Sequence, residues 1–361
     1  MSTNTTEITP VTIAVDVLGG DNAPEVVCEG IRTILRSDPL INIMLTGSSE
    51  IIEPFVTEVA SAYPGRVEAV VTTEVIEMDE SPVTAVRQKK DSSIVVACRL
   101  VKEGRADAFF SAGSTGACMA AATLIIGRAK GVARPAIVTV LPAPSGPVAL
   151  LDSGANVDVK PEYLLQFAHM GRAYARAVFD IANPRVGLLS VGSESTKGSQ
   201  LTQEVHALLA AQFEGFAGNA EGNDILVGKF DCIVTDGFTG NVVLKTTEGS
   251  VHMLLKELKK VLTSSFIAKL GAALVKSKLA KLKEAMSADT YGGAPLLGLK
   301  NVVIIGHGSS NATAVANAIR VAARTIRARL PEVIEEAIAA AAKPIEASNT
   351  KQDEDTTAPR I

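Results

Sequence analysis

The chain has 361 residues, 47% of them hydrophobic and 20% charged, which is enough for one large α/β domain or two joined lobes around a substantial core. A formal charge of -4 argues against a nucleic-acid binder, because counterion release needs a concentrated basic surface. No apolar run approaches the ~20 residues of a membrane span, and MSTNTTEITP has neither the basic nor the apolar part of a signal peptide. Together with four cysteines (Cys28, Cys98, Cys118, Cys232) that form no CxxC pair and no metal-ligand rhythm, this predicts a protein of the reducing cytoplasm.

Residues 1–10 are polar and predicted disordered, and the folded region is expected over 11–342. The first apolar run, Val11 to Val17, predicts a strand that leaves through Gly19 and Gly20 to Asp21 and Asn22, residue types that cap a following helix. Asp16, a carboxylate inside an apolar strand, and Asp21 would then stand at the sheet's carboxyl edge. Strands are predicted at Ile41 to Thr46 and Val67 to Thr73, and a fourth at Ala106 to Ser111. The fourth runs into SAGSTGA, where Ser111, Gly113, Ser114, Thr115 and Gly116 offer hydroxyls and backbone N–H groups to an anion at a helix start. Cys118 follows in the first turn of that helix, where it is either a dipole-activated nucleophile or a small buried hydrophobe.

Strands at Ala136 to Leu141 and Val148 to Asp152 lead to DSGANVDVKPE. There Asp152, Asn156, Asp158 and Lys160 crowd a glycine turn, a density of polar groups that marks them as candidate substrate- or phosphate-binding residues against a plain capped turn, and Pro161 opens a helix at its favoured first position. After the strand Val186 to Val191, Lys197 stands just before another helix, a cation at the positive end of the dipole. A bound phosphate would resolve that conflict. The strand Cys232 to Thr235 ends in DGFTGN, with Asp236, Thr239 and Gly240 in the turn and Asn241 entering the next helix.

From 250 to 284 the texture becomes one long helical stretch with eight lysines against two glutamates and apolar residues that include Leu254, Leu258 and Phe266. A protruding surface for an anionic membrane, an acidic partner or a second copy fits this pattern, as does an ordinary surface helix pair. The last predicted strand, Val302 to Ile305, ends in GHGSSN. That turn has Asn311 where a dinucleotide fingerprint requires its third glycine, while His307, Gly308, Ser309 and Ser310 suit a phosphate or a carbonyl oxygen. The polar tail 343–361 is predicted disordered.

The alternation of buried strands and helices predicts an α/β protein, a three-layer α/β/α sandwich around a mainly parallel sheet. Ligands in such sheets bind beyond the carboxyl ends of the strands, where six of these turns fall. No GxxxxGK[ST] loop, HExxH, GxSxG elbow or histidine cluster is present, so nucleotide hydrolysis and zinc chemistry recede.

In order and spacing, AVDVLGGD, SAGSTGA, DSGANVDVKPE, VGSESTKG, TDGFTGN, YGGAPLLG and HGSSN resemble the phosphate acyltransferases of bacterial phospholipid synthesis over about Thr12 to Arg329. Ser114 stands where that family more often has Asn, and Val17 and Leu18 where it has Ala and Met. The resemblance implies a fold similar to isocitrate and isopropylmalate dehydrogenases and phosphotransacetylase. It implies transfer of an acyl group from acyl-[acyl carrier protein] to inorganic phosphate, with Lys197 and Asn241 as catalytic residues, and it implies no metal or cofactor. It also implies a homodimer and a link to a downstream glycerol-3-phosphate acyltransferase. An NAD-dependent decarboxylating dehydrogenase, a non-catalytic scaffold for carrier protein or membrane, and a covalent route through Cys118 are the competing readings.

Overall fold

The structure is a computed structural model that describes residues 9–285 and 291–341. Within it, one eleven-stranded sheet runs in the order β3-β2-β1-β4-β11-β10-β5-β6-β9-β7-β8. The strands β1 (Val11–Asp16), β2 (Ile41–Gly47), β3 (Val67–Val71), β4 (Ala108–Ser111) and β11 (Val302–Ile305) are mutually parallel. A second parallel set contains β6 (Val148–Leu151), β9 (Cys232–Val234), β7 (Val186–Leu189) and β8 (Phe216–Ala220). Between the sets, β10 (Ala294–Leu297) and β5 (Ala136–Leu141) pair antiparallel with their neighbours, so strand direction reverses there.

Alternation along the strands explains the layers. In β1, Ile13 and Val15 join the core under α1 (Glu25–Ser37) and α10 (Ala312–Arg327), whereas Ala14 packs with Phe109 under α4 (Ser93–Lys102) and α5 (Thr115–Ala121). Successive side chains of a strand point to opposite faces, and here each face meets helices, which gives the three-layer α/β/α sandwich. The second set has its own core, built on α6 (Pro161–Phe179) and α7 (Gln200–Gln212), with Phe167, Met170 and Leu209 fully buried.

Two strands escape a reading of hydrophobic pattern. β8 is FAGNA and β10 is APLL, the latter with a proline in mid-sheet and flanking glycines, where strand residues are ordinarily β-branched and proline is confined to edges. The 250–284 stretch is helical and spans two helices. α8 (Gly237–Leu262) begins at the DGFTGN turn, and α9 (Phe266–Ala285) follows a break at Thr263 to Ser265. The Thr263 hydroxyl closes the first helix on the Lys259 carbonyl (2.8 Å), and Ser265 opens the second by accepting from the Ala268 amide (3.1 Å). Only Gly237 and Gly240 of α8 are buried, so the rest of it leaves the core. The expected disordered ends lie outside the described residues, apart from Thr9 and Pro10.

Candidate active site

At the carboxyl edge of the first strand set, Asp16 is 1% exposed. The Ser111 hydroxyl donates to Asp16 Oδ2 (2.7 Å), the Leu18 amide donates to Oδ1 (3.0 Å), and Ser111 Oγ accepts from the Gly113 amide (3.0 Å). One carboxylate thereby ties the GGD turn to the SAGSTGA turn. Burial pushes its pKa up, and the hydrogen bonds from Ser111 and its neighbours oppose that. The approach is so close that a Cβ at Gly19 would stand 2.6 Å from the Gly113 nitrogen. Asp16 is thus spent within the protein and lines none of the cavities described below.

Asp21 and Asn22 do not cap α1: Pro24 holds the cap position, without a side-chain cap bond. The Asp21 amide instead donates to the Gly308 carbonyl (2.7 Å), which joins the first turn to the GHGSSN turn. In that turn Asn311 caps α10 by accepting from the Ala314 amide (2.9 Å). The Ser309 amide (3.2 Å) and hydroxyl (2.8 Å) both donate to His307 Nδ1, which leaves the ring proton on Nε2. Ser114 caps α5, so its oxygen accepts from the Ala117 amide (3.4 Å).

The second set has an equivalent hub. Asp152 is fully buried. Its Oδ1 accepts from the amides of Ile137 (3.0 Å), Gly154 (3.2 Å) and Ala155 (3.1 Å), and its Oδ2 from the Asn156 amide (2.6 Å) and side chain (2.9 Å). Asp152 and Asn156, singled out in the sequence as ligand-binding, hold their own turn together instead. Burial raises the Asp152 pKa against these donors. Asp158 and Lys160 are exposed on the same loop, away from any cavity described below. The first turn of α8 sits directly on this loop, with the Gly237 amide donating to the Asn156 carbonyl (2.7 Å). A Cβ at Gly240 would collide with the backbone oxygen of Asp152. Asp236 caps α8 through the Thr239 amide (2.8 Å) and hydroxyl (2.7 Å), and Asn241 is exposed beside Gly154.

Where the two strand sets converge across β10 and β5 lies a cavity of about 400 Å³. It is lined by Asp21, Gly113, Thr115, His307, Gly308 and Ser310 from the first set and by Asn241 from the second. Ser153, Thr139, Lys245 and Tyr291 also line it and were missed in the sequence. For Lys245 a signal existed: it stands four residues after Asn241 and so shares its helix face.

Lys197 does not line this cavity. It is exposed on the loop before α7, and the adjoining Gly198, Ser199 and Thr202 line a neighbouring cleft of about 280 Å³ together with Asp236 and Thr239. The strand order explains this: Lys197 follows β7, which lies beyond β9 from β6, so the first turn of α8 stands between Lys197 and the DSGAN turn. Cys118 is fully buried and its thiol is pushed up to about 12 by burial, the opposite of an activated nucleophile.

A family model described as "Fatty acid synthesis protein" matches residues 11–333. Phosphate acyltransferase from Desulfitobacterium hafniense is 52% identical over 324 residues, covering 89% of this chain and 96% of its own. The corresponding protein of Heliobacterium modesticaldum is 49% identical over 334 residues, covering 92% and 99%. The chain belongs to the phosphate acyltransferase family. It is accordingly a transferase enzyme. Among solved structures, a phosphotransacetylase from Streptococcus pyogenes superposes with a TM-score of 0.59 at 19% identity, over 88% of this chain and 95% of that one. A branched-chain phosphotransacylase from Enterococcus faecalis gives 0.55 at 15% identity, over 88% and 99%. The fold is therefore phosphotransacetylase-like.

In this acyltransferase the seat of α8 on the Asp152 loop makes a prediction of unusual sign. Glycine to alanine inside a helix ordinarily stabilises by about 1 kcal/mol. Gly240→Ala is expected instead to lower the thermal unfolding midpoint and reduce activity, because the new methyl meets backbone that cannot yield. A midpoint equal to or above that of the wild type would show that the helix does not sit on that loop.

Proposed function

We propose that the protein transfers a fatty acyl group from acyl-[acyl carrier protein] to inorganic phosphate, giving acyl phosphate for glycerophospholipid synthesis. The observation that carries this reading is the single cavity into which glycine-rich turns of both strand sets open, with Asn241 on its wall. The hydroxyls of Thr115 and Ser310 and the backbone of Gly308 on the cavity wall suit an anion there, and the N-terminal end of α10 favours negative charge.

The chemistry then follows from charge. An oxygen of hydrogenphosphate attacks the thioester carbonyl carbon, the carbonyl oxygen becomes an oxyanion, and the C–S bond breaks. The phosphate proton ends on the departing sulfur, so acyl phosphate and free carrier thiol are the products. Asn241 donates to the developing oxyanion, and Lys197, exposed on the loop before α7, supplies the cation for the phosphate. Asp21 accepts the hydrogen of hydrogenphosphate and returns it to the departing sulfur, while His307 offers its Nε2–H to a phosphate oxygen. A thiolate leaves readily, so no strong general acid is needed.

Release of carrier thiol from acyl carrier substrate, with and without phosphate, tests this. Wild type should release thiol only with phosphate, Lys197→Ala should lose most of that activity, and Asn241→Ala should lose about 10²-fold to 10³-fold in kcat, the usual cost of one oxyanion donor. Release that ignores phosphate would refute the reading.

The hairpin of α8 and α9 extends the proposal to a site at the cytoplasmic face of the membrane, in a homodimer and beside a downstream glycerol-3-phosphate acyltransferase. What supports it is a row of exposed apolar residues, among them Leu254, Val261, Phe266, Ile267 and Leu274, next to many lysines, a composition suited to anionic lipid. Changing Leu254, Leu258 and Phe266 to Ser should abolish flotation with anionic liposomes while leaving the fold intact. Undiminished flotation of the folded variant would remove the membrane from the account.

A further inference from the structure

Lys197 sits in a loop without regular structure, between β7 and α7, yet its backbone is held at defined points. Asn219, on β8 opposite Leu188 of β7 and 3% exposed, reaches across into that loop. Its Nδ2 donates to the carbonyls of Gly192 (3.2 Å) and Glu194 (2.8 Å). The Glu194 carbonyl accepts in turn from the Lys197 amide (3.1 Å), so one oxygen bonds both the buried side chain and the backbone of the lysine. At the far end of the loop the Ser190 hydroxyl donates to the Lys197 carbonyl (3.4 Å), and Gly198 takes φ +103, where a Cβ would meet Thr202 at 2.8 Å.

A carboxamide can bind in two orientations, and only one presents its NH₂ to two carbonyls. The flipped orientation would set Oδ1 against those two carbonyl oxygens, which only accept; in the orientation present, Oδ1 lies 2.9 Å from Nδ1 of His206 on α7. With both Nδ2 hydrogens used on carbonyls, Oδ1 is the acceptor and Nδ1 carries the proton. The imidazole itself is fixed edge-on against Phe216 (centroids 5.1 Å apart). Lys197 makes no ion pair among the described residues, so its charge is left for an incoming anion while its backbone is anchored.

We propose that Asn219, held at its Oδ1 by His206, is the positioning residue that sets Lys197 for the phosphate substrate. This rests on the role given to Lys197 above and goes beyond it by naming what holds the lysine. The buried amide does not touch substrate: it fixes the Gly192–Glu194 carbonyls from which the Lys197 turn hangs.

Steady-state kinetics of thiol release, with phosphate and acyl donor varied separately, test it. His206→Phe keeps a ring against Phe216 but removes the Nδ1 donor, so Asn219 Oδ1 loses the partner that holds the carboxamide in place. It should lower kcat/KM for phosphate about tenfold, the worth of one hydrogen bond, with KM for acyl donor and the melting midpoint unchanged. His206→Asn, whose Nδ2 falls near the place of the imidazole Nδ1, should restore near wild-type values. Asn219→Ala should show the same phosphate-selective loss, larger than that of His206→Phe. Equal losses in His206→Phe and His206→Asn, equal changes in both substrates' KM, or no loss would overturn the proposal. Full activity of Lys197→Ala in the same assay would instead overturn the role of the lysine, which keeps the two failures distinct.

Discussion

The carboxylate of Asp152 is the interaction on which the site most depends. A buried carboxylate costs several kcal/mol unless hydrogen bonds replace its hydration, and this one accepts from four backbone amides and one carboxamide. Those donors come from β5 and from the loop after β6, so satisfying the charge folds that loop onto the strand next to it. The loop then forms the platform on which α8 begins, with glycine required at 237 and 240 by the closeness of the contact. The position of Asn241 at the cavity is therefore a consequence of a charge that never reaches the cavity.

Asp16 does the same for the other strand set with fewer bonds, joining the GGD and SAGSTGA turns through Ser111. Both carboxyl groups are raised by burial, and both sit one layer behind the cavity wall. Strand direction reverses between the sets across β10 and β5, and turns from both sets nevertheless line one cavity. An enzyme that must neutralise an anionic nucleophile and an oxyanion at once has use for such convergence. In the second set the bonding continues outward: Asn219 plays towards the Lys197 loop the part that Asp152 plays towards α8.

The layered architecture and most strands are legible in the sequence because continuous β-branched runs are a strong signal. β8 and β10 are not, since FAGNA and APLL become strands only through their neighbours in the sheet. Among site residues, the sequence marks the right turns and misjudges which atoms face outwards. Asp16 and Asp152 attract notice as carboxylates at the ends of apolar strands, and that company is the reason they are buried and internally satisfied; half-buried Asn156 is drawn in through its bonds to Asp152. Asp21 and Asn22 have capping chemistry, but the backbone of the first turn is taken by Gly308. Lys197 follows β7 and Asn241 follows β9, and the strand order, in which β9 separates β6 from β7, keeps the lysine out of the cavity that Asn241 lines. Asn219 lies in a strand that periodicity does not reveal, and nothing local distinguishes it.

The central claim is that the anionic nucleophile binds where the two strand sets meet. Crystals soaked with inorganic arsenate, a phosphate analogue with an anomalous signal, test it most directly. The account predicts an arsenic peak in the cavity bounded by Gly113, Asn241, His307 and Ser310. A peak confined to the basic groove of Arg128, Lys130 and Lys300, with the cavity empty at saturating arsenate, would contradict it.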